Sequence, residues 1–133
     1  MMSKVFADTF YFLALLNKKD EAHQKALETS CKITKLVTTE WVLTELADGL
    51  ASSRHRDVFL KTRQALLADG EATIMALQTS VYEEGIRLYA NRADKQWSLT
   101  DCISFIVMET EGITEALTGD HHFEQAGFVA LLK

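Results

Sequence analysis

Residues 4–17 read KVFADTFYFLALLN, and this stretch decides how the rest of the chain is interpreted. Residues 4–7 are a short apolar segment that predicts a β-strand, and Asp8 follows it directly. Residues 9–17 predict a helix that is apolar nearly all round, so we expect it to be buried against a sheet or against a second subunit. The stretch is therefore the first unit of a chain in which strands and helices alternate.

The alternation continues to the end of the chain. Further strands are predicted at residues 33–37, 72–77, 115–118 and 128–132. Helices are predicted at residues 20–31, from Thr38 and Thr39 onward, and at 56–68, 80–93 and 99–111, with a turn at 119–127. The strands are continuous apolar runs, which indicates a parallel sheet covered on both faces. We predict a single domain over residues 1–133, an α/β three-layer sandwich with a central parallel sheet of four to five strands flanked by helices.

The composition is that of an ordinary soluble globular protein, with 47% hydrophobic and 25% charged residues among 133. The longest apolar runs are far shorter than the ~20 residues that span a bilayer, and the start does not resemble a signal peptide, so we expect no membrane association and a cytoplasmic location. A net charge of −5 argues against a broadly basic nucleic-acid surface. Cys31 and Cys102 lack the spacing of a zinc site and are expected to be reduced, mostly buried thiols.

Four acidic residues lie where a strand or turn gives way to a helix: Asp8, Glu45, Asp101 and Asp120. Ligands of open parallel sheets bind outside the carboxyl ends of the strands, and the following helices begin at the same edge. All four acids can therefore face one crevice. Two unit charges ~4 Å apart repel by about 1 kcal/mol in water and by more inside a protein, so such a cluster favours a bound cation. An all-oxygen ligand set favours Mg²⁺ or Mn²⁺ over zinc.

Each acid also has a purely structural explanation. Asp8 can end a strand or cap a helix, and Glu45 can be a solvated residue beside an apolar helix stripe. Asp101 completes the capping-box pattern that begins at Ser98, and Asp120 can simply form a turn. The order and placement of the four acids together carry more weight than any one of them.

The chain resembles the PIN-domain family, and within it the VapC-type toxins of toxin–antitoxin systems. The resemblance covers nearly the whole chain, and its segments are VFADTFYFLALL at 5–16, HQKAL at 23–27, TTEWVLTEL at 38–46, SLTDCISFIVMETEGI at 98–113 and EALTGDHHFEQAGF at 115–128. The family's four acids match those named above in order and in spacing. Its hydroxyl residues near the acids match Thr9, Ser98 and Thr118.

The resemblance implies a metal-dependent endoribonuclease that uses Mg²⁺ or Mn²⁺, acts on RNA, is inhibited by a small antitoxin protein and forms a homodimer. It makes Asp8 and Asp101 direct metal ligands. Glu45 and Asp120 then complete the site through water or a second ion, or orient the nucleophile. His121 and His122 depart from the family, which often carries an arginine or another polar residue after its last acid.

Basic, histidine and aromatic residues outside the four acids are weaker candidates. The densest basic stretch carries Arg54, Arg56, Lys61 and Arg63, which can contact RNA phosphates or form a solvated helix face. His121 and His122 can ligate metal, although turn histidines are more often exposed. His23 is expected to pack or hydrogen-bond, and Trp97 either stacks on a base or belongs to the core.

The sequence thus predicts a ribonuclease of the toxin type. Two alternatives stay open: a non-catalytic PIN-like module that binds RNA or protein, and an enzyme that acts on DNA. Other acid-bearing α/β families fit less well. A haloacid-dehalogenase phosphatase needs an aspartate at position 10, where this chain has Phe10, and a nucleotide-binding fold needs a glycine-rich turn after the first strand.

Overall fold

The computed structural model describes residues 4–133 and contains one parallel sheet of five strands with helices on both faces. The strands are β1 Val5–Ala7, β2 Leu36–Thr39, β3 Ala72–Met75, β4 Glu115–Leu117 and β5 Val129–Ala130. The helices are α1 Thr9–Leu16, α2 His23–Ser30, α3 Glu40–Gly49, α4 Ser53–Ala68, α5 Thr79–Asn91, α6 Leu99–Thr110 and α7 His121–Gln125. The predicted α/β sandwich is confirmed.

Strand β1 lies at the centre of the sheet, whose strand order is β3-β2-β1-β4-β5. Phe6 pairs with Val37 of β2 on one side and with Ala116 of β4 on the other. The chain adds β2 and β3 on one side of β1 before it crosses to add β4 and β5 on the other. The strand order therefore reverses between β1 and β4, the point where open parallel sheets form their ligand crevices.

Local sequence signals explain where the helices that face this crevice begin. Thr39 caps α3, because its side chain accepts a hydrogen bond from the Val42 backbone N–H at 3.0 Å. Ser98 caps α6 through a full capping box with Asp101. Both helices start at the carboxyl edge of the sheet, as predicted.

Some expectations for individual elements were wrong. The predicted turn at 119–127 contains the short helix α7, which begins where the Asp120 side chain accepts from the His122 N–H. For helix α1, Leu13 and Leu16 each remain 38% exposed in the single chain, so burial of the whole helix requires the second subunit that the sequence allows, and this stays a prediction. Cys31 is exposed, and only Cys102 is buried.

Several element boundaries also moved from their predicted positions. Strand β2 begins at Leu36 rather than at residue 33, and α4 begins at Ser53 rather than at residue 56. Helix α2 begins at His23, because the Asp20 carboxylate accepts from the Ala22 N–H at 2.8 Å and so forms a turn before the helix instead of capping it. Among residues 4–133, no helix has both the length and the apolar character needed to cross a membrane.

Candidate active site

Asp8 is held at the end of the central strand, where it is only 6% exposed. It makes no side-chain cap hydrogen bond to α1. Instead its Oδ2 accepts a hydrogen bond from the Thr118 hydroxyl at 3.0 Å, across the gap between β1 and β4. The Asp8 carboxylate is therefore positioned by Thr118 at the crevice, where the strand order reverses, and it does not cap helix α1.

Burial raises the pKa of Asp8 from 3.8 to about 7. The hydrogen bond from Thr118 and the Thr9 backbone N–H oppose this rise, whereas the negative charges of Asp101 and Glu45 add to it. Asp8 therefore lies in an environment that penalises its charge, and the neighbouring acids are among the causes. A cation in the crevice would relieve that penalty.

Asp101 has two roles in the geometry, one local and one in the cleft. Its Oδ2 accepts from the Ser98 backbone N–H at 3.2 Å, while the Ser98 Oγ accepts from the Asp101 N–H at 3.0 Å. The same Oδ2 lies 3.1 Å from the Nδ1 of His122. Burial raises the pKa of Asp101, and the hydrogen bonds from Ser98 and His122 oppose that rise. The capping box therefore fixes the carboxyl group without removing it from the cleft.

Hydroxyl groups hold the remaining two acids. Glu45, in the second turn of α3, accepts a hydrogen bond from the Thr9 hydroxyl. Asp120 is the N-cap of α7, and its Oδ1 accepts from the His122 N–H at 2.9 Å. The Asp120 backbone N–H in turn donates to the Thr118 Oγ1 at 3.1 Å, so that Thr118 touches both Asp8 and Asp120. All three hydroxyl residues singled out in the sequence thus lie against the acids.

The structure brings all four acids together along one open cleft of about 490 Å³. Residues that the sequence did not single out for the site also line it, among them Phe10, Leu13 and Gln96. The sequence predicts Phe10 as part of an apolar helix and as a position that lacks the aspartate of a phosphatase. Its position two residues after Asp8 is the signal that could have placed it at the cleft.

The predicted RNA-contacting residues lie elsewhere. Arg54, Arg56, Lys61 and Arg63 are all on α4, and none of them lines the acidic cleft. Lys61 pairs with Asp57 at 3.2 Å, and Arg56 donates to the Ala51 carbonyl at 2.8 Å. Any contact of α4 with RNA would therefore involve a part of the molecule other than this cleft.

Trp97 and His23 are structural residues. Trp97 is buried, its Nε1 donates to Gln125 at 3.0 Å, and the Arg92 guanidinium lies 5.0 Å from its ring centroid. His23 places its Nδ1 2.8 Å from the Ala14 carbonyl. Trp97 is a core residue, and His23 makes the hydrogen bond that was expected of it.

The donor set of the cleft suits a hard divalent cation. Four carboxyl groups face one open space, and two of them have pKa values raised by burial. Carboxylate oxygens and water are the ligands that Mg²⁺ and Mn²⁺ prefer. The residues present therefore fit the ion that the sequence led us to expect.

Comparison with known proteins places this geometry in a family. The family model described as PIN domain matches residues 5–129. The structure of VapC20 from Mycobacterium tuberculosis, a sarcin-ricin loop cleaving toxin, has a TM-score of 0.85 and 25% identity, over 94% of this chain and 96% of that one. None of the curated protein sequences matches this chain.

Two more distant structures share the fold. FitAcB from Neisseria gonorrhoeae has a TM-score of 0.68 at 18% identity, covering 95% of this chain and 94% of its own. VapBC2 from Rickettsia felis, bound to a DNA fragment from its promoter, has a TM-score of 0.65 at 16% identity, covering 97% and 96% respectively. At these identities the likeness concerns the fold alone.

Proposed function

We propose that this chain, which belongs to the PIN domain family, is a Mg²⁺- or Mn²⁺-dependent endoribonuclease and the toxin component of a toxin–antitoxin pair. The observation that carries the proposal is the convergence of Asp8, Glu45, Asp101 and Asp120 on one cleft at the strand switch point. The similarity to VapC20, a toxin that cleaves the sarcin-ricin loop, supports RNA as the substrate class.

Asp8 and Asp101 would hold the cation directly, because they are the two most buried of the four acids and each is fixed by a hydrogen bond. When bound, a divalent cation lowers the pKa of a coordinated water and neutralises charge on a phosphodiester under attack. Glu45 and Asp120 are less buried and border the same open space. They would complete the site through water or a second ion and orient the attacking water.

The hydroxyl residues keep the carboxylates in place during the reaction. Thr118 donates to Asp8, Thr9 donates to Glu45, and Ser98 fixes Asp101 through the capping box. Side chains locked by such contacts do not have to reorganise when the substrate binds, which is the main contribution of a preorganised polar site to catalysis.

We also propose a small antitoxin protein as partner and a homodimer as the assembly. VapBC2 and FitAcB share the fold, and VapBC2 was solved on promoter DNA, which supports a partner of the antitoxin type. Leu13 and Leu16 of α1, each 38% exposed, offer apolar surface for association. We propose a cytoplasmic location for the pair.

The proposal is tested with purified protein and metal-dependent RNA cleavage. Asp8→Asn and Asp101→Asn should keep the far-UV circular dichroism spectrum but lose Mn²⁺ binding and cleavage. Asp57→Asn, at an exposed aspartate on α4, is the matched control and should behave as the unmodified protein. Normal cleavage by both cleft variants would refute the proposal.

Two further outcomes decide between the alternatives. Binding of RNA or of a protein partner without metal-dependent cleavage, across varied substrates, would favour a non-catalytic PIN-like module. DNA substrates run beside the RNA substrates would reveal a deoxyribonuclease.

A further inference from the structure

His121 and His122 lie at the edge of the acidic cleft, and the proposed reaction assigns neither of them a role. His122 is only 19% exposed at its side chain, whereas His121 is 64% exposed. Their rings lie 4.5 Å apart, and both follow Asp120 directly in the chain. One ligand atom from each of Asp120, His121 and His122 lies within 4.8 Å of the others.

The distances in this group are unusual for hydrogen bonds. Both imidazoles present Nδ1 to the same oxygen, Asp120 Oδ1, at 3.6 Å for His121 and 3.4 Å for His122. The usual hydrogen-bonded separation of nitrogen and oxygen is about 2.9 Å. Because both Nδ1 atoms lie farther than hydrogen-bond distance from Asp120 Oδ1, a metal ion could lie among the three atoms and contact each of them.

The same distances match the edges of a metal-centred tetrahedron. Zinc lies about 2.0–2.1 Å from nitrogen and oxygen ligands, so that tetrahedral ligands are about 3.4 Å apart. Asp101 Oδ2 lies 3.1 Å from His122 Nδ1, and this hydrogen bond orients the His122 imidazole without making Asp101 part of the ligand group. The His122 backbone N–H also donates to Asp120 at 2.9 Å, which holds the carboxylate beside the two rings.

The donor chemistry separates this group from the rest of the cleft. Two imidazoles and one carboxylate suit zinc and the later first-row metals, whereas Mg²⁺ prefers oxygen ligands alone. The group spans only three consecutive residues, so little loop entropy opposes its closure on an ion.

We propose that Asp120, His121 and His122 form a Zn²⁺ site that overlaps the all-carboxylate site at Asp120, with water as the fourth ligand. Zn²⁺ bound there engages Asp120, a carboxylate that the proposed Mg²⁺ or Mn²⁺ site uses. It therefore inhibits cleavage, a consequence that rests on the proposed nuclease function, whereas Zn²⁺ binding itself does not.

The binding half is tested by calorimetric titration of the full-length protein with Zn²⁺ alone, in parallel with Co²⁺, whose visible spectrum reports tetrahedral coordination. The unmodified protein should bind one Zn²⁺ per chain and give a tetrahedral Co²⁺ spectrum. Loss of residues that merely support a ligand weakens metal binding 10–100-fold, so His121→Ala, which removes a ligand, should weaken it by at least about 100-fold.

His55→Ala is the matched control, since His55 is an exposed histidine on α4 whose only hydrogen-bond partner among the described residues is Ser52. It should bind Zn²⁺ as the unmodified protein does. Equal Zn²⁺ affinity in His121→Ala and the unmodified protein, or an equal loss in His55→Ala, would overturn the site.

The inhibition half uses RNA cleavage in Mg²⁺ with added Zn²⁺. Zn²⁺ should inhibit cleavage by the unmodified protein, whereas His121→Ala should cleave normally in Mg²⁺. The Zn²⁺ concentration that halves cleavage by His121→Ala should be higher by the same factor by which its Zn²⁺ affinity falls. Equal inhibition of both proteins would refute this half. If neither protein cleaves RNA in Mg²⁺, the nuclease proposal fails, and the Zn²⁺ titration alone then decides the metal site.

Discussion

Replacement of Asp8 by asparagine should stabilise the metal-free protein at pH 8 and do little at pH 3. Asparagine has nearly the shape of aspartic acid, and its amide oxygen can still accept the hydrogen bond from Thr118. What the substitution removes is the negative charge, in a position that is only 6% exposed and faces other acids. The charge therefore lowers the stability of the metal-free protein, which is consistent with the ligand role that we propose for Asp8.

The magnitude follows from the pKa of Asp8, which burial raises from 3.8 to about 7 in the folded protein. Because the folded value is the higher one, the contribution of this group to stability is complete below pH 3.8 and is lost as the pH rises through 7. The full displacement corresponds to about 4 kcal/mol, of which about 2.5 kcal/mol falls between pH 5 and pH 8.

The assay is urea unfolding of both proteins at pH 5 and pH 8, with chelator present. The free energy of unfolding of Asp8→Asn, relative to the unmodified protein, should rise by about 2.5 kcal/mol from pH 5 to pH 8. Asp57→Asn, at a side chain that is 71% exposed, should show no such rise. A relative stability of Asp8→Asn that stays constant with pH, or falls, would refute the reasoning.

Metal should narrow the difference in stability between the two proteins at pH 8. An ion that binds only the folded state stabilises by about 2.7 kcal/mol at a concentration 100 times its Kd. Added Mn²⁺ should therefore stabilise the unmodified protein at pH 8 and leave Asp8→Asn unchanged. Equal stabilisation of both would show that Asp8 is not a ligand.

Three other changes have defined outcomes. Thr118→Val removes the donor to Asp8 and the acceptor of the Asp120 N–H. It should lower the free energy of unfolding in urea by about 1–3 kcal/mol and weaken Mn²⁺ binding 10–100-fold. Thr118→Ser keeps the hydroxyl and should retain both the stability and the Mn²⁺ affinity. Gly85→Ala places a methyl group 2.6 Å from Ile103 Cγ1, between α5 and α6, and should lower the free energy of unfolding by about 1–3 kcal/mol. The thermal midpoint should fall accordingly, whereas Gly49→Ala, which has open space around it, should leave the midpoint unchanged. Simultaneous replacement by alanine of the four basic residues of α4, Arg54, Arg56, Lys61 and Arg63, should weaken the salt dependence of RNA binding. The slope of log K against log salt concentration should become shallower by about 0.7 for each phosphate contact that is lost, and an unchanged slope would show that α4 is only a solvated face.

The sequence predicted the sheet and the placement of the acids because both follow from short-range signals. Apolar runs of three to five residues mark the strands, and Thr39 and Ser98 mark the helix starts that face the crevice. The capping-box explanation of Asp101 proved compatible with a place in the cleft, since one carboxyl group makes the box and still lines the open space.

What the sequence could not predict depends on contacts between distant residues. The sequence predicts a turn where helix α7 lies, because five residues with two histidines are too short to show helical periodicity. The helix forms around Phe123, which is buried. The exposed side of α1 could not be read from composition, since nearly every residue of that helix is apolar and only the packing partner decides which ones are covered. The link from Thr118 to Asp8 joins residues 110 positions apart.

Hydroxyl residues hold two of the four carboxyl groups that share the cleft, those of Asp8 and Glu45. Thr9 and Thr118 are almost fully buried, and each donates to a different acid. Such bonds stabilise the ionised form, but they oppose burial only in part, because the pKa of Asp8 still rises to about 7. Hydrogen bonding therefore fixes the positions of the carboxylates and leaves their charge uncompensated. Fixed ligands with uncompensated charge are what a divalent cation requires, and this is the electrostatic argument for the metal that we propose.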